Sequence, residues 1–301
     1  MIWSVNFVTN SENVLMKHPE QNYEIIIKPN KSWFYVDWQG LLHYRDLLFL
    51  LVRRDFVARY KQTILGPIWF IVQPLFTAFT FTIVFANVIK VSTDQLPPML
   101  FYMCALVPWG YFASSLETTS KSLLANAALF NKVYFPRLII PLSIIISNLI
   151  ALTIQLSVFL VFYFYFKFLS PLGVLIQPNL FILVLPLFLL QTAAVALGFG
   201  LWVSAMTVKY RDFQNLMTFL IPLWMYATPI IYPTSVVSEK WRVFLALNPM
   251  AGIVDSFRYA FFGSGYINEL HILISVVGTI VVLVSGILVF NKVERTFVDW
   301  I

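Results

Sequence analysis

The sequence predicts an all-α integral membrane protein: six transmembrane helices per subunit, an N-terminal cytoplasmic interfacial helix, and external re-entrant half-helices between spans five and six. Three observations lead there. Of 301 residues, 59 % are hydrophobic and 11 % charged, with a mean hydropathy of +0.80, whereas a soluble domain carries about 25 % charge. Six stretches free of Asp, Glu, Lys and Arg are long enough to cross a hydrocarbon core, which takes roughly 20 residues. Basic residues cluster on alternate connections between those stretches. Such a composition excludes a cytosolic enzyme, a nucleic-acid reader and a secreted domain. The excess of 20 Lys+Arg over 14 Asp+Glu, a net +6, therefore belongs to span flanks and not to nucleic acid. One cysteine, Cys104, lies in an apolar run, so no disulfide framework or Cys metal site forms within one chain.

Residues 1–40 read as a polar cytoplasmic tail with no basic region leading into an apolar core, hence no cleaved signal peptide. Alternation over residues 23–38 predicts a short strand. In the segment 41–66, the apolar run 47–52 is bracketed by Arg45, Asp46, Arg53, Arg54 and Asp55. Six apolar residues cannot cross a bilayer, and the charges surround most of the helical wheel. An interfacial helix packed on other helices is expected. The six-span domain covers 67–291, with spans at about 67–89, 97–116, 138–166, 179–206, 213–232 and 270–290. The third and fourth have length to spare for tilt. Prolines 74, 108, 141, 186, 222 and 229 are expected to kink or break these helices. Residues 292–301 form a second cytoplasmic tail.

Six spans put both termini on one side. Twelve Lys and Arg flank that side, among them Arg45, Arg53, Lys121, Arg137, Lys209 and Lys292. The other side has five: Lys90, Lys167, Lys240, Arg242 and Arg258. The positive-inside rule places both termini in the cytoplasm.

Catalytic machinery is absent from the pattern, and no catalytic, cofactor-binding or metal residue is predicted. There is no G-x-x-x-x-G-K-[ST] loop to hold ATP. His18, His43 and His271 are scattered without metal-ligand spacing. Asp46, Asp55 and Asp212 form no pair to hold Mg²⁺ on a diphosphate. The spans lack the ionisable relay of ion-coupled transporters. A transporter built this way is driven by something else.

Three connections are more organised than a linker requires. Residues 53–67 form a basic helix ending at Gly66, with Pro67 opening the first span. Residues 117–137 place Glu117 and Lys121 one turn apart on a helix expected to lie parallel to the membrane. The 37-residue loop 233–269 is too long for a simple link. Within it Asn248-Pro249 starts a helix, Gly263 stops it, and Asp255 and Arg258 stand three apart. Its ring-bearing face (Phe257, Tyr259, Phe261, Phe262) is expected to face lipid or the exit of a conduit. The 29 Phe, 14 Tyr and 9 Trp belt the interfaces, with some available to stack on sugars.

RRDFVARYKQTILGPIWFIVQP, from Arg53, resembles the opening signature of the membrane subunit of type-2 ABC exporters, a family that moves O-antigen, capsular polysaccharide or teichoic acid. NKVYFPRLIIPLS resembles its entry to span three, VKYRDFQNL its four-to-five turn, and TPIIYP with LNPMAGIVDSFR its external region. The resemblance implies a homodimer in a bacterial inner membrane, bound to two copies of an ATPase that carries ATP and Mg²⁺. It implies an ATPase-facing surface of Arg53, Arg54, Arg59, Glu117, Lys132 and Arg137. An external gate would involve Asn248, Pro249, Asp255, Arg258 and Tyr259. Trp69, Gln73, Trp224, Tyr226 and Tyr232 are the candidates to line a channel for lipid-linked polysaccharide. The alternatives are a drug or small-lipid exporter, a membrane glycosyl- or prenyl-transferase, and a relay-free channel or Na⁺ carrier.

Overall fold

Backbone N–H and C=O groups in lipid need partners within the protein, and every regular element among the described residues is helical. The computed structural model describes residues 38–60, 66–130, 132–133 and 135–296. The strand expected over 23–38 falls outside them, except that Trp38 opens a helix.

Helices α1 (Trp38–His43) and α2 (Arg45–Tyr60) precede the spans. Leu51 of α2 is buried against Phe135, Ile139, Ile140 and Ile144, with Leu47 and Leu48 alongside. Phe49, Leu50, Arg53 and Arg54 face outward. A helix too short in apolar length to cross a bilayer thus docks one side on the protein.

Among the described residues, five helical stretches are long and apolar enough to cross a membrane: Trp69–Val88, Pro98–Ser120, Ile139–Leu169, Leu180–Lys209 and Glu269–Glu294. The first joins α3 (Trp69–Phe81) to a π-helical stretch, Thr82–Val88. The next two are α4 (Pro98–Ser120) and, after the short helices α5 (Ser122–Ala125) and α6 (Ala127–Phe130), α7 (Ile139–Leu169). A 3₁₀ segment, Leu180–Val184, leads into α8 (Leu185–Lys209). The segment expected as span five begins as α9 (Phe213–Tyr226), 14 residues long, and continues through turns to Tyr232. Helices α10 (Glu239–Ala246) and α11 (Pro249–Phe262) precede the final α12 (Glu269–Thr296).

Two expectations need correction. Pro141 and Pro186 sit in the first turns of α7 and α8, where an N–H has no helical partner to lose, so neither breaks its helix. Pro74, Pro108 and Pro222 do lie inside helices. The expected membrane-parallel helix over 117–137 is replaced by an extension of α4 to Ser120 and two four-residue helices. Side-chain bonds favour this break: Asn126 donates to the Ser122 carbonyl at 2.9 Å, and Ser204 of α8 accepts from the Leu123 N–H at 3.3 Å.

Helix α4 is the hub, packing on α3, α7, α8, α9 and α11. Its Phe101, Tyr102, Tyr111 and Phe112 are among the largest fully buried side chains. Helices α8 and α12 cross where glycine allows backbone contact. A Cβ on Gly286 would fall 2.4 Å from the Gly198 carbonyl oxygen, and one on Gly198 2.8 Å from Leu283 Cα. Small residues at crossings give membrane helices their van der Waals contact.

Candidate functional site

The break after α9 and the α10–α11 hairpin form the most elaborate polar construction among the described residues. Pro229 brings no N–H and α9 stops at Tyr226, so carbonyls near the end of α9 lose their helical donors. Each carbonyl from 223 to 230 nonetheless has a partner. Those of Leu223 and Met225 accept from the Ala227 and Thr228 N–H groups, and that of Thr228 from Ile230. The Thr228 hydroxyl donates to the Trp224 carbonyl at 2.9 Å, and the Tyr232 hydroxyl to that of Tyr226 at 3.2 Å. Asn248 Nδ2 donates to the Ala227 carbonyl at 3.2 Å and to the Thr228 hydroxyl at 2.9 Å. Arg258 serves the carbonyls of Pro229 and Ile230, the second at 2.8 Å, and reaches Tyr232 at 3.5 Å. Irregular backbone at membrane depth requires this kind of satisfaction.

The two donors from outside the turn, Asn248 and Arg258, come from α11 and its cap, whose start and stop follow the sequence. Asn248 caps it by accepting the Met250 N–H at 3.1 Å, with Pro249 next. Asn248 Oδ1 also accepts from Trp224 Nε1 at 3.1 Å, so one amide binds both helices. Gly263 ends α11 at φ +66°, where a Cβ would lie 2.3 Å from the Gln177 carbonyl oxygen. Both the left-handed turn and the close backbone exclude a side chain.

Arg258 is 3 % exposed and its guanidinium carbon lies 3.7 Å from the centre of the Phe101 ring on α4. Its Nη1 is 3.9 Å from Asp255 Oδ1, while Thr234 donates to Asp255 Oδ2 at 2.7 Å. The expected Asp255–Arg258 pair therefore forms at the outer limit of contact, because the guanidinium is aimed at carbonyls. Burial pushes the Asp255 carboxyl up to about 7, against the lowering influence of Arg258 and of the Thr234 hydrogen bond. Burial also lowers the Arg258 guanidinium, with Asp255 opposing. A second carboxylate, Asp94, accepts from Ser235 at 2.8 Å and so ties the α3–α4 loop to the same strap.

The ring-bearing face is a correction. Phe257, Phe261 and Phe262 are buried at 1 %, 3 % and 1 % exposure, inside the main core, and face neither lipid nor a conduit. Tyr259 is half-buried, edge-on to Phe181 with ring centres 5.4 Å apart. The exposed helix of the hairpin is α10, whose Trp241, Val243 and Phe244 all point outward.

The other site residues scatter. Trp69, Gln73 and Tyr226 are exposed, and Tyr232 is half-buried. Trp224 is built into the wall, edge-on to Phe112 at 5.0 Å and Phe199 at 4.9 Å. At the opposite end of the bundle, Arg53, Arg54 and Lys132 are exposed, and Arg54 bonds Asp55 at 2.8 Å. Glu117 of α4 pairs at 2.7 Å with Lys121, the residue that follows that helix. Arg137 donates to the Glu294 carbonyl of α12 and lies 5.5 Å from the Phe130 ring centre. The Arg59 side chain lies outside the described residues. Sequence reasoning missed Phe101, Thr234 and Asp94. The signal for a clamp was present in TPIIYP, whose two prolines leave carbonyls that some buried donor must serve.

The chain is thus a bundle of apolar helices with a stapled break at one end and a docked interfacial helix at the other. Residues 46–262 match the ABC-2 type transporter family, and the chain belongs to it. It is similar to an O-antigen export system permease protein RfbA of Klebsiella pneumoniae, 28 % identical over 84 % of this chain and 94 % of that protein. The RfbA of Myxococcus xanthus is 28 % identical over 74 % of this chain and 82 % of its own. The polysialic acid transport protein KpsM of Escherichia coli is 22 % identical over 74 % and 83 % respectively.

Proposed function

We propose that this chain is the membrane subunit of an ATP-driven exporter of lipid-linked polysaccharide of the O-antigen or capsule type. The observation that carries the proposal is the similarity to O-antigen export permeases along 84 % of the chain. It works as a homodimer in a bacterial inner membrane, with two copies of a separate ATPase holding ATP and Mg²⁺. Both termini are cytoplasmic, as the twelve-to-five distribution of basic residues argues. The chain crosses six times: α9 supplies about 21 Å, and the stapled turn 227–232 adds the remaining depth.

Arg53, Arg54 and Lys132 meet the ATPase, with Arg59 on the same helix, while Glu117 and Arg137 hold that surface in shape. At the other end the hairpin forms the outer gate. Asn248, Pro249, Asp255 and Arg258 fix α11 as its frame, Tyr259 borders it, and the exposed α10 is the part free to shift. Trp69, Gln73, Tyr226 and Tyr232 line the route, with Trp224 supporting them from behind. Reconstitution with and without the cognate ATPase tests this reading. ATP-dependent movement of lipid-linked polymer is expected, and transport by the isolated chain without nucleotide would overturn it.

A further inference from the structure

At the end of the bundle opposite the hairpin, the last turns of α8 and α12 and the first turn of α9 enclose a groove of about 510 Å³. That volume is in the range of small-molecule sites. Met206, Phe213 and Val289 give it apolar walls, while Lys209 and Lys292, both exposed, stand at its mouth. Lys209 is the last residue of α8, and its ammonium lies 5.2 Å from the centre of the Tyr210 ring, which also lines the groove. Asp212 precedes α9 without a capping bond from its side chain. Two long apolar helices end here, so the groove opens at the level where hydrocarbon gives way to headgroups. The faces leading to it are apolar and exposed: Leu216 and Phe219 on α9, Val281 and Val284 on α12.

We propose that this groove seats an anionic glycerophospholipid, its phosphate between Lys209 and Lys292 and one acyl chain along Met206, Phe213 and Val289. The two halves of the site ask for two halves of one molecule. The walls ask for an acyl chain, and the paired ammonium groups ask for a phosphate diester. Bilayer phospholipid is present at that depth without having to be delivered. Basic pockets between membrane helices select anionic headgroups on these grounds. Lys209 serves as an interfacial donor whose stem stays along the apolar wall.

The test uses the purified full chain, stripped of lipid in a neutral detergent, and requires neither ATPase nor polymer, so its outcome is independent of the proposed export function. Phosphatidylglycerol, phosphatidylcholine with the same acyl chains, and inorganic phosphate are titrated while thermal unfolding is followed, and retained lipid is read by mass spectrometry. Phosphatidylglycerol is expected to raise the Tm saturably and to be retained, with phosphatidylcholine and phosphate both inactive. Lys209→Gln/Lys292→Gln should weaken the phosphatidylglycerol response by an order of magnitude or more, about five-fold for each lysine. Val289→Trp, which fills the apolar wall, should do the same and carries the test if the double variant fails to fold. An unchanged response in these variants, an equal effect of phosphatidylcholine, or a shift reproduced by phosphate alone would overturn the proposal.

Discussion

Replacing Arg258 tests whether the break after α9 is held by a donor from α11. The side chain is 3 % exposed and serves the Pro229 and Ile230 carbonyls, with a longer contact to Tyr232 at 3.5 Å. Arg258→Met keeps much of the stem and removes every donor. Two charge-assisted hydrogen bonds at about 1.5–3 kcal/mol each bracket the loss at about 3–6 kcal/mol. Breaking a buried charge pair by removing one partner costs about 3–5 kcal/mol. These count the same event twice, so the expected destabilisation is about 3–5 kcal/mol. Arg258→Lys retains the charge facing Asp255 but not the fork that reaches two carbonyls, and should lose roughly half as much. The measurement is denaturant unfolding of the purified protein in mild detergent, with membrane insertion checked by fractionation. A loss below about 1 kcal/mol for Arg258→Met would mean that the carbonyls have other donors and that the staple is a misreading.

The folded chain holds the Asp255 proton to about pH 7, against an ordinary value of 3.8. The folded state therefore binds more protons between those values, and stability falls as pH rises from 4 to 7. Asp255→Asn should flatten that slope in unfolding curves taken at several pH values. Gly263→Ala should cost at least about 2 kcal/mol, since it adds left-handed strain to a clash with the Gln177 carbonyl; an unchanged Tm would contradict the geometry. Arg53→Ala/Arg54→Ala should insert and melt normally yet co-purify with less ATPase, whereas undiminished binding and export would remove α2 from the coupling surface. With Cys104 replaced, single cysteines at Asn126 and Ser238 should label from opposite sides of sealed vesicles. Labelling of both from outside would invert or break the six-pass topology.

Helix type, order and ends were legible because they depend on local chemistry. Charge-free runs marked the long helices to within a few residues, and Asn248-Pro249 with Gly263 marked both ends of α11. The 14-residue length of α9 was harder to read, since hydropathy continues through Ala227–Tyr232 while the prolines end the helix. Burial was the main loss. Apolar residues face lipid and core alike, so the composition that identifies a membrane helix says little about which side is inside. Phe257, Phe261 and Phe262 point to lipid or a conduit by that logic, although rings on a helix fit a buried face equally well. The Arg258 partners lay beyond reach because carbonyls carry no side-chain signature. Only the need to satisfy them was visible.

The clamp also has a timetable. Phe101 and Arg258 are separated by 157 residues, which at about 5–20 residues per second means roughly 8–30 seconds between their syntheses. During that interval α4 has already been synthesised, with the ring that will receive the guanidinium, and α9 is made before the Arg258 donor for the Pro229 and Ile230 carbonyls exists. The turn after α9 is therefore completed from downstream, by a cation that must be delivered to its ring without remaining in lipid. A nascent chain stopped before residue 258 lacks more than its final helices: the Pro229 and Ile230 carbonyls of the upstream turn have no donor. Quality control acting on such chains would meet an unheld turn after α9 as readily as a missing α12.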